Sequence, residues 1–432
     1  MIGQLFFIIL VIAAIALFTW NVRKIIRNIR LGRPTDRSDR PGDRLKVMLK
    51  VAFGQSKMGK RPIAAILHLF VYVGFVIINI EVLEIAIDGL FGTHRIFAGI
   101  GPLYGFLIGG FEILALLVLA ACIIFLIRRN ILNIRRFRGV EMTSWPRSDA
   151  NYILTAEILL MLAFLTMNAA DHKLQLMGAE HYIKAGAYPV SFTLHGLLPD
   201  NEATLIFIER FCWWFHIVGI FAFLNYLPYS KHFHILLAFP NTYYSNLKPK
   251  GEFTNMASVT NEVKAMLDPS YTPEPVAEGG KFGAKDVTDL TWKNLMDAYT
   301  CTECGRCTSV CPANITGKLL SPRKIMMDTR DRVTEVGVNI EKRGQDYSDG
   351  KSLLDDYISR EEIWACTTCN ACTEACPVNI DPLNIIMELR RYAVMEEAQA
   401  PSSLNNMFGN VENNAAPWKY SPADRFNWAN ES

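Results

Sequence analysis

The sequence predicts an all-α membrane protein in two parts: a five-span transmembrane helix bundle followed by a mostly α-helical, cysteine-bearing domain. Three observations predict it. Five apolar runs long enough to cross a bilayer lie before residue 240. After Pro240 the apolar character stops, and helical patterns opened by Ser or Asp followed by Pro take over. Of the ten cysteines, all but Cys122 and Cys212 fall in two blocks of identical spacing in that second part.

The first run, residues 3–20, carries no charge and is followed by Arg23, Lys24, Arg27 and Arg30. No positive residue precedes it and no small-x-small cleavage site follows it, so it reads as a retained helix rather than a signal peptide. The other spans are expected at 62–87, 100–127, 151–169 and 204–228. Loop charges orient them. The 21–61 connection holds thirteen Lys and Arg residues against Asp36, Asp39 and Asp43, and the 128–147 connection six against Glu141. The 170–203 loop has only Lys173 and Lys184 as bases against four acids. The positive-inside rule then puts the N-terminus outside and everything after the fifth span in the cytoplasm of a bacterial inner membrane. The net charge of +2 carries no footprint of nucleic-acid binding.

Residues 241–285 read as a linker, with Pro269, Pro273, Pro275 and Gly279-Gly280. Helical runs are expected from Asp286 into Cys301, from Ser321-Pro322, over Ser352–Ser359 and from Asp381-Pro382. Residues 400–432 lack periodicity and read as a tail ordered only against a partner. The expected domains are 1–240 (membrane, haem-binding as argued below), 241–285 (linker), 286–398 (cysteine-bearing) and 399–432 (tail).

The cysteine blocks run Cys301-Thr-Glu-Cys304-Gly-Arg-Cys307-Thr-Ser-Val-Cys311-Pro312 and Cys366-Thr-Thr-Cys369-Asn-Ala-Cys372-Thr-Glu-Ala-Cys376-Pro377. Both are C-x2-C-x2-C-x3-C-P, the spacing that holds [4Fe-4S] clusters, with the fourth cysteine ligating the other cluster. The expected sets are Cys301, Cys304, Cys307 and Cys376 for one cluster, and Cys366, Cys369, Cys372 and Cys311 for the other. Zinc ribbons use paired C-x2-C knuckles instead, and disulfides would need an oxidising compartment. Cys122 and Cys212, in apolar runs, read as inert buried thiols.

Ionisable residues at membrane depth are functional candidates. Glu81 and Glu84 are expected near the outer interface, where they cost little, whereas Glu112 and Glu157 stand open as relay candidates. His68 falls near the inner end of the second span, His216 on the fifth, and His232 and His234 at its cytoplasmic end. Bis-histidine ligation of haem removes the cost of a buried imidazole. If the helix continues past Pro228, His216 and His234 stand ~27 Å apart on nearly one face, which suits two haems stacked across the membrane or one haem plus an unrelated histidine. His232 reads equally well as an interfacial residue.

The five-span topology, His68, His216 and Pro228-Tyr-Ser-Lys-His-Phe-His234 resemble the gamma-subunit family of respiratory nitrate reductase. The resemblance implies a cytochrome b domain, with an inner haem b on His68 and His234 and an outer haem on His216. The outer haem's second ligand would lie about ten residues beyond His68, where Val71–Ile80 holds no histidine; His172 or His195 are the remaining places for it. The region from about 290 to 395, with Cys-Pro-x-Asn-Ile after each block and Ser321-Pro-Arg-Lys324 between them, resembles heterodisulfide-reductase-like membrane iron–sulfur proteins. Such proteins usually continue into CCG domains, so a separate redox subunit is expected, either a CCG-domain protein or an electron-transfer flavoprotein. Together these imply a membrane anchor and electron-transfer subunit linking a soluble redox partner, two [4Fe-4S] clusters, haem b and the membrane quinone pool. The alternative is a haem-free scaffold whose iron–sulfur domain docks a partner.

Overall fold

A computed structural model describes residues 2–132, 134–273 and 281–430. The linker residues Pro275 and Gly279-Gly280 lie outside the described residues. Five long apolar helices form the bundle: α1 (Ile2–Ile29), α3 (Pro62–Phe91), α4 (Pro102–Asn130), α5 (Trp145–Met177) and α6 (Glu202–Tyr226), with the short α2 (Pro41–Met48) between the first two. The chain is thus an all-α membrane protein. Lipid tails give helices no hydrophobic reason to associate, so close packing must do it. A Cβ at Gly74 would overlap Val118, and one at Gly219 would overlap Leu160, so these glycines bring α3 onto α4 and α6 onto α5.

α6 does not run on through His234. Pro228 lacks the N–H of a helix interior, and the chain makes two 3₁₀ turns, Leu227–Tyr229 and Lys231–Phe233, before α7 (His234–Tyr243). Asp149 on α5 fixes this break by accepting from the Tyr226 hydroxyl and from the Lys231 backbone N–H at 3.1 Å. The expectation of His216 and His234 on one continuous helix face is therefore corrected.

The segment expected as a linker contains α8 (Ala257–Leu267), and α7 crosses the expected boundary at 240. Next come α9 (Trp292–Thr300), α10 (Pro312–Ile315) and α11 (Pro322–Arg343), then α12 (Leu353–Asp356), α13 (Arg360–Trp364), α14 (Ala371–Ala375) and α15 (Pro382–Met395). The expected caps hold: Ser321 Oγ accepts from the Lys324 N–H at 3.4 Å, and Asp381 Oδ1 from the Asn384 N–H at 3.1 Å. The run expected over 352–359 is not a continuous helix: it holds only the short α12, broken where Leu354 is extended and Asp355 has φ of 79°. Nor is the end of the chain featureless: α16 (Ser402–Asn414) and a 3₁₀ stretch, Pro422–Ala429, leave Trp418, Phe426 and Trp428 exposed.

One apolar core joins the two halves. Ile25, Ala52, Leu227 and Phe233 from the membrane half pack with Leu295, Ala298, Ile325, Val333, Ile385 and Leu389. Each fully buried Leu or Ile there contributes about 1.5–3 kcal/mol. Arg323, 1% exposed, adds a polar tie across the same junction through Glu141 at 2.7 Å and the Arg136 carbonyl at 2.6 Å. The end of the bundle facing the cysteines is called proximal below, and the opposite end distal.

Candidate metal and cofactor centre

The two cysteine blocks fold alike because their backbones make the same unusual turns. Two residues after each first cysteine, Glu303 and Thr368 have φ of 53° and 56°; two further on, Gly305 and Asn370 have 69° and 60°. Left-handed residues spaced this way turn successive N–H groups toward one concavity, a shape suited to a negatively charged group. The Thr368 N–H reaches Cys366 Sγ at 3.4 Å, and the Ile380 N–H reaches Cys376 Sγ at 3.3 Å. Gly305 could be nothing larger, since a Cβ there would meet the Arg323 guanidinium and the Arg136 carbonyl.

Burial pushes the thiols of Cys301, Cys372 and Cys376 up to about 12, and those of Cys307 and Cys366 in the same direction. Sulfurs add to this: Cys304, Cys301, Cys376 and Cys372 beside Cys307, and Cys311 and Cys369 beside Cys366. Cys376 of the second block thus lies near Cys304 and Cys307 of the first, and Cys311 of the first near Cys366 of the second. All ten cysteines are free thiols. Thiolates so buried need a cationic metal core to be stable, so the donor set fits two iron–sulfur clusters. Among the described residues no group of three or more His, Cys, Asp or Glu is arranged to hold a single ion.

Four of the membrane-half histidines singled out in the sequence meet in one cavity. A space of about 430 Å³ is lined by His68 from α3, His216 from α6, and His232 and His234 from the α6–α7 break. The same space is lined by Cys304, Arg306, Pro377 and Val378 from the cysteine blocks. His234 Nδ1 lies 3.1 Å from the Lys231 carbonyl, and His216 Nδ1 lies 3.0 Å from the Leu160 carbonyl. A carbonyl can only accept, so both rings carry hydrogen on Nδ1 and keep the Nε2 lone pair free. That is how ligating histidines are oriented. Burial drives the His232 imidazole down to about 3, helped by His234 and His68, and lowers His234 too, so both stay neutral, the form that ligates. His232 packs its ring 5.4 Å from that of His234.

One contact that sequence reasoning missed locks the two halves in register. Lys231, between the histidines, pairs with Glu303, between the cysteines, and Glu303 also accepts from Arg330 at 2.7 Å. The only signal was the position of each charge beside a ligand type.

Other sequence candidates sort differently. Glu81 and Glu84 are not at a solvated interface; they are 2% and 3% exposed. Glu84 accepts from the Phe97 N–H and the Tyr104 hydroxyl, both at 2.9 Å. Arg95 folds in from the α3–α4 loop to donate to Asn168 at 2.8 Å and Tyr104 at 3.1 Å, and pairs with Asp171. Glu112 accepts the Val190 and Ser191 N–H groups at 2.9 and 3.1 Å, so its role is to hold the distal loop. Glu157 lines the histidine cavity. His172 and His195 pack on each other, ring centroids 4.9 Å apart, outside that cavity.

Residues 300–380 match the 4Fe-4S dicluster domain family. Across its whole length the chain is 29% identical to the probable iron-sulfur-binding oxidoreductase FadF of Bacillus subtilis, covering 61% of that protein. It is 26% identical over 91% of its length to the EtfAB:quinone oxidoreductase of Syntrophomonas wolfei, covering 55% of it. Over 27% of the chain it is 35% identical to a component of the ferredoxin/F(420)H(2)-dependent CoB-CoM heterodisulfide reductase of Methanosarcina acetivorans, covering 60% of that component. The chain thus spans less than two thirds of the length of each. No solved structure matches it. The chain carries a 4Fe-4S dicluster domain on a membrane-spanning helical bundle, and its relatives are iron–sulfur oxidoreductases.

Proposed function

We propose that the chain is the membrane anchor and electron-transfer subunit of a quinone-linked oxidoreductase. Cys301, Cys304, Cys307 and Cys376 hold one [4Fe-4S] cluster; Cys366, Cys369, Cys372 and Cys311 hold the other. His68 and His234 hold a haem b between α3 and the α6–α7 break, as in the gamma-subunit family. The observation that carries this reading is the shared cavity: His68 and His234 line the same space as Cys304 and Arg306. A group ligated by the histidines would lie against one ligated by the first block.

When bound, the clusters and the haem supply one-electron carriers. The chain's own residues set their order. Cys369 is exposed, so the second cluster borders the surface, where a soluble redox partner can reach it. Cys304 lines the histidine cavity, so the first cluster would stand between that surface and the histidines. The names of the relatives fit a flavoprotein donor with quinone as acceptor, or a heterodisulfide-reductase-type partner. Loop charges favour a bacterial inner membrane, the cysteine domain in the cytoplasm and the N-terminus outside. The working domains are 1–240, 286–398 and the segments around them.

The test is the absorbance of the full chain purified without chelators. Cluster absorbance together with a haem b α-band is expected. Clusters without haem would leave only a scaffold that docks its partner.

A further inference from the structure

We propose that the part of the cavity around His216, where the resemblance implies a second haem, is instead the binding site of a quinone headgroup, with His216 and Glu157 as its polar contacts. The inference rests on the quinone-linked reading and gives that reading its substrate site.

A second bis-histidine haem needs imidazoles on opposite walls, and only one is present. Ten residues past His68, ~15 Å along α3, stand Ile78 and Asn79, and both line the cavity. Neither His172 nor His195 lines it. Leu160, whose carbonyl takes the His216 Nδ1–H, is twelve residues before His172 on α5, which puts His172 ~18 Å farther along the axis. Its ring is stacked on Tyr188 at 4.6 Å. The donor set does not fit a second haem held by two histidines.

It does fit a flat apolar ring with a polar atom at each end. The walls here are Ile78, Val118, Met161 and Ile220. Glu157 is one helical turn from Leu160 and so borders the same stretch as the His216 ring. It makes no hydrogen bond or ion pair with any described residue. A carboxyl at membrane depth without a protein partner is costly, which marks it as a candidate for a functional contact. The cavity also has a way in for a lipid-soluble molecule. Phe75 and Val76 line it and are 44% and 51% exposed on the outer surface of α3, beside Asn79. A quinone can enter there from the bilayer without crossing water.

In the quinol-forming direction the ring gains two electrons, one at a time, from the reduced soluble donor through the carriers at the proximal end. Each carbonyl oxygen gains one proton: one from the Glu157 carboxyl, which water then reprotonates, and one from His216 Nε2 after its lone pair has first taken a proton from water, so that the ring returns to the neutral form with hydrogen on Nδ1. The opposite direction returns the same two electrons and two protons.

The test uses the full chain with its native cofactors in detergent. Its measurements are haem per chain, cluster absorbance, and the rate at which decylubiquinone or menadione reoxidises the dithionite-reduced protein. Glu157→Gln and His216→Leu are each expected to keep wild-type haem and cluster content. Each should slow reoxidation at limiting quinone by about tenfold, the equivalent of one hydrogen bond to a charged group. A His216→Leu protein with less haem than wild type would make His216 a haem ligand and overturn the proposal. Wild-type reoxidation in the near-isosteric Glu157→Gln protein would overturn it too, with quinone-linked function left standing. A wild-type protein that quinone does not reoxidise would instead remove the underlying reading, and the proposal with it.

Discussion

The bundle buries two sets of polar side chains, one at each end, and they are built on opposite rules. At the distal end Arg95 donates to Asn168 and Tyr104, pairs with Asp171, and comes within 3.9 Å of Glu81. Its hydrogen-bonding capacity is used up inside the protein. At the proximal end His216 and His234 use one ring nitrogen to fix their orientation and leave the other facing a cavity. The first arrangement holds helices together; the second keeps space and lone pairs available. Burial of polar groups alone does not mark a site. A polar atom aimed into a space that another domain also lines does.

The largest expected difference between the two ends is in cofactor content. His68→Ala should abolish the haem b α-band and quinone-coupled electron transfer while leaving cluster absorbance unchanged; a retained α-band would remove the proximal end from the cofactor chain. On the cysteine side, interleaving makes a sharp prediction. The double variant Cys304→Ser with Cys376→Ser touches one cluster and should keep about half the iron, whereas Cys366→Ser with Cys376→Ser touches both and should lose nearly all of it. The reverse pattern, with the Cys304/Cys376 double losing nearly all the iron and the Cys366/Cys376 double keeping about half, would mean that each block binds its own cluster.

At the distal end the expected effect is on stability. Arg95→Met leaves Asp171 buried without its cation, a loss of about 3–5 kcal/mol. It should lower the thermal midpoint in detergent with no change in haem or cluster spectra of the folded protein. A spectral change without a stability change would reverse the roles assigned to the two ends.

What could be read in advance follows from how local each signal is. Cysteines repeated at C-x2-C-x2-C specify their own geometry, so the candidate cluster ligands are legible from spacing. The spans are legible because bilayer thickness fixes their length. The meeting of His68, His234 and Cys304 is not, because it depends on a helix that stops at Tyr226 and turns twice; Pro228 signals the stop but not where the chain goes next. Burial of Glu81 and Glu84 was hidden for a related reason, since their cation comes from the α3–α4 loop folding inward. The α16 helix carries no apolar periodicity because none of its residues is buried, so the pattern that announces a packed helix is missing.

A milder version of the Arg95 experiment exists outside the membrane, in the insertion between the cysteine blocks. Arg332 on α11 is 3% exposed and pairs with Asp349 at 2.6 Å and Asp286 at 2.7 Å. Hydrogen bonds from Arg332 bring the Asp349 carboxyl down to about 2, below its usual value near 3.9. A depressed carboxylate stabilises fully above its unfolded pKa, and the contribution is lost as pH falls through the folded one. The window of loss therefore runs from about pH 4 down to about pH 2. Asp349→Asn should cost about 1–3 kcal/mol, less than Arg95→Met because Asp286 still faces Arg332 and water reaches the loop. Thermal unfolding of wild type and variant should differ by the same amount from pH 8 to pH 5. The two should then converge as pH falls from about 4 to about 2; a difference that stays constant through that acid window would mean the pair does not hold Asp349 low, and that this insertion is tied to α11 by packing alone.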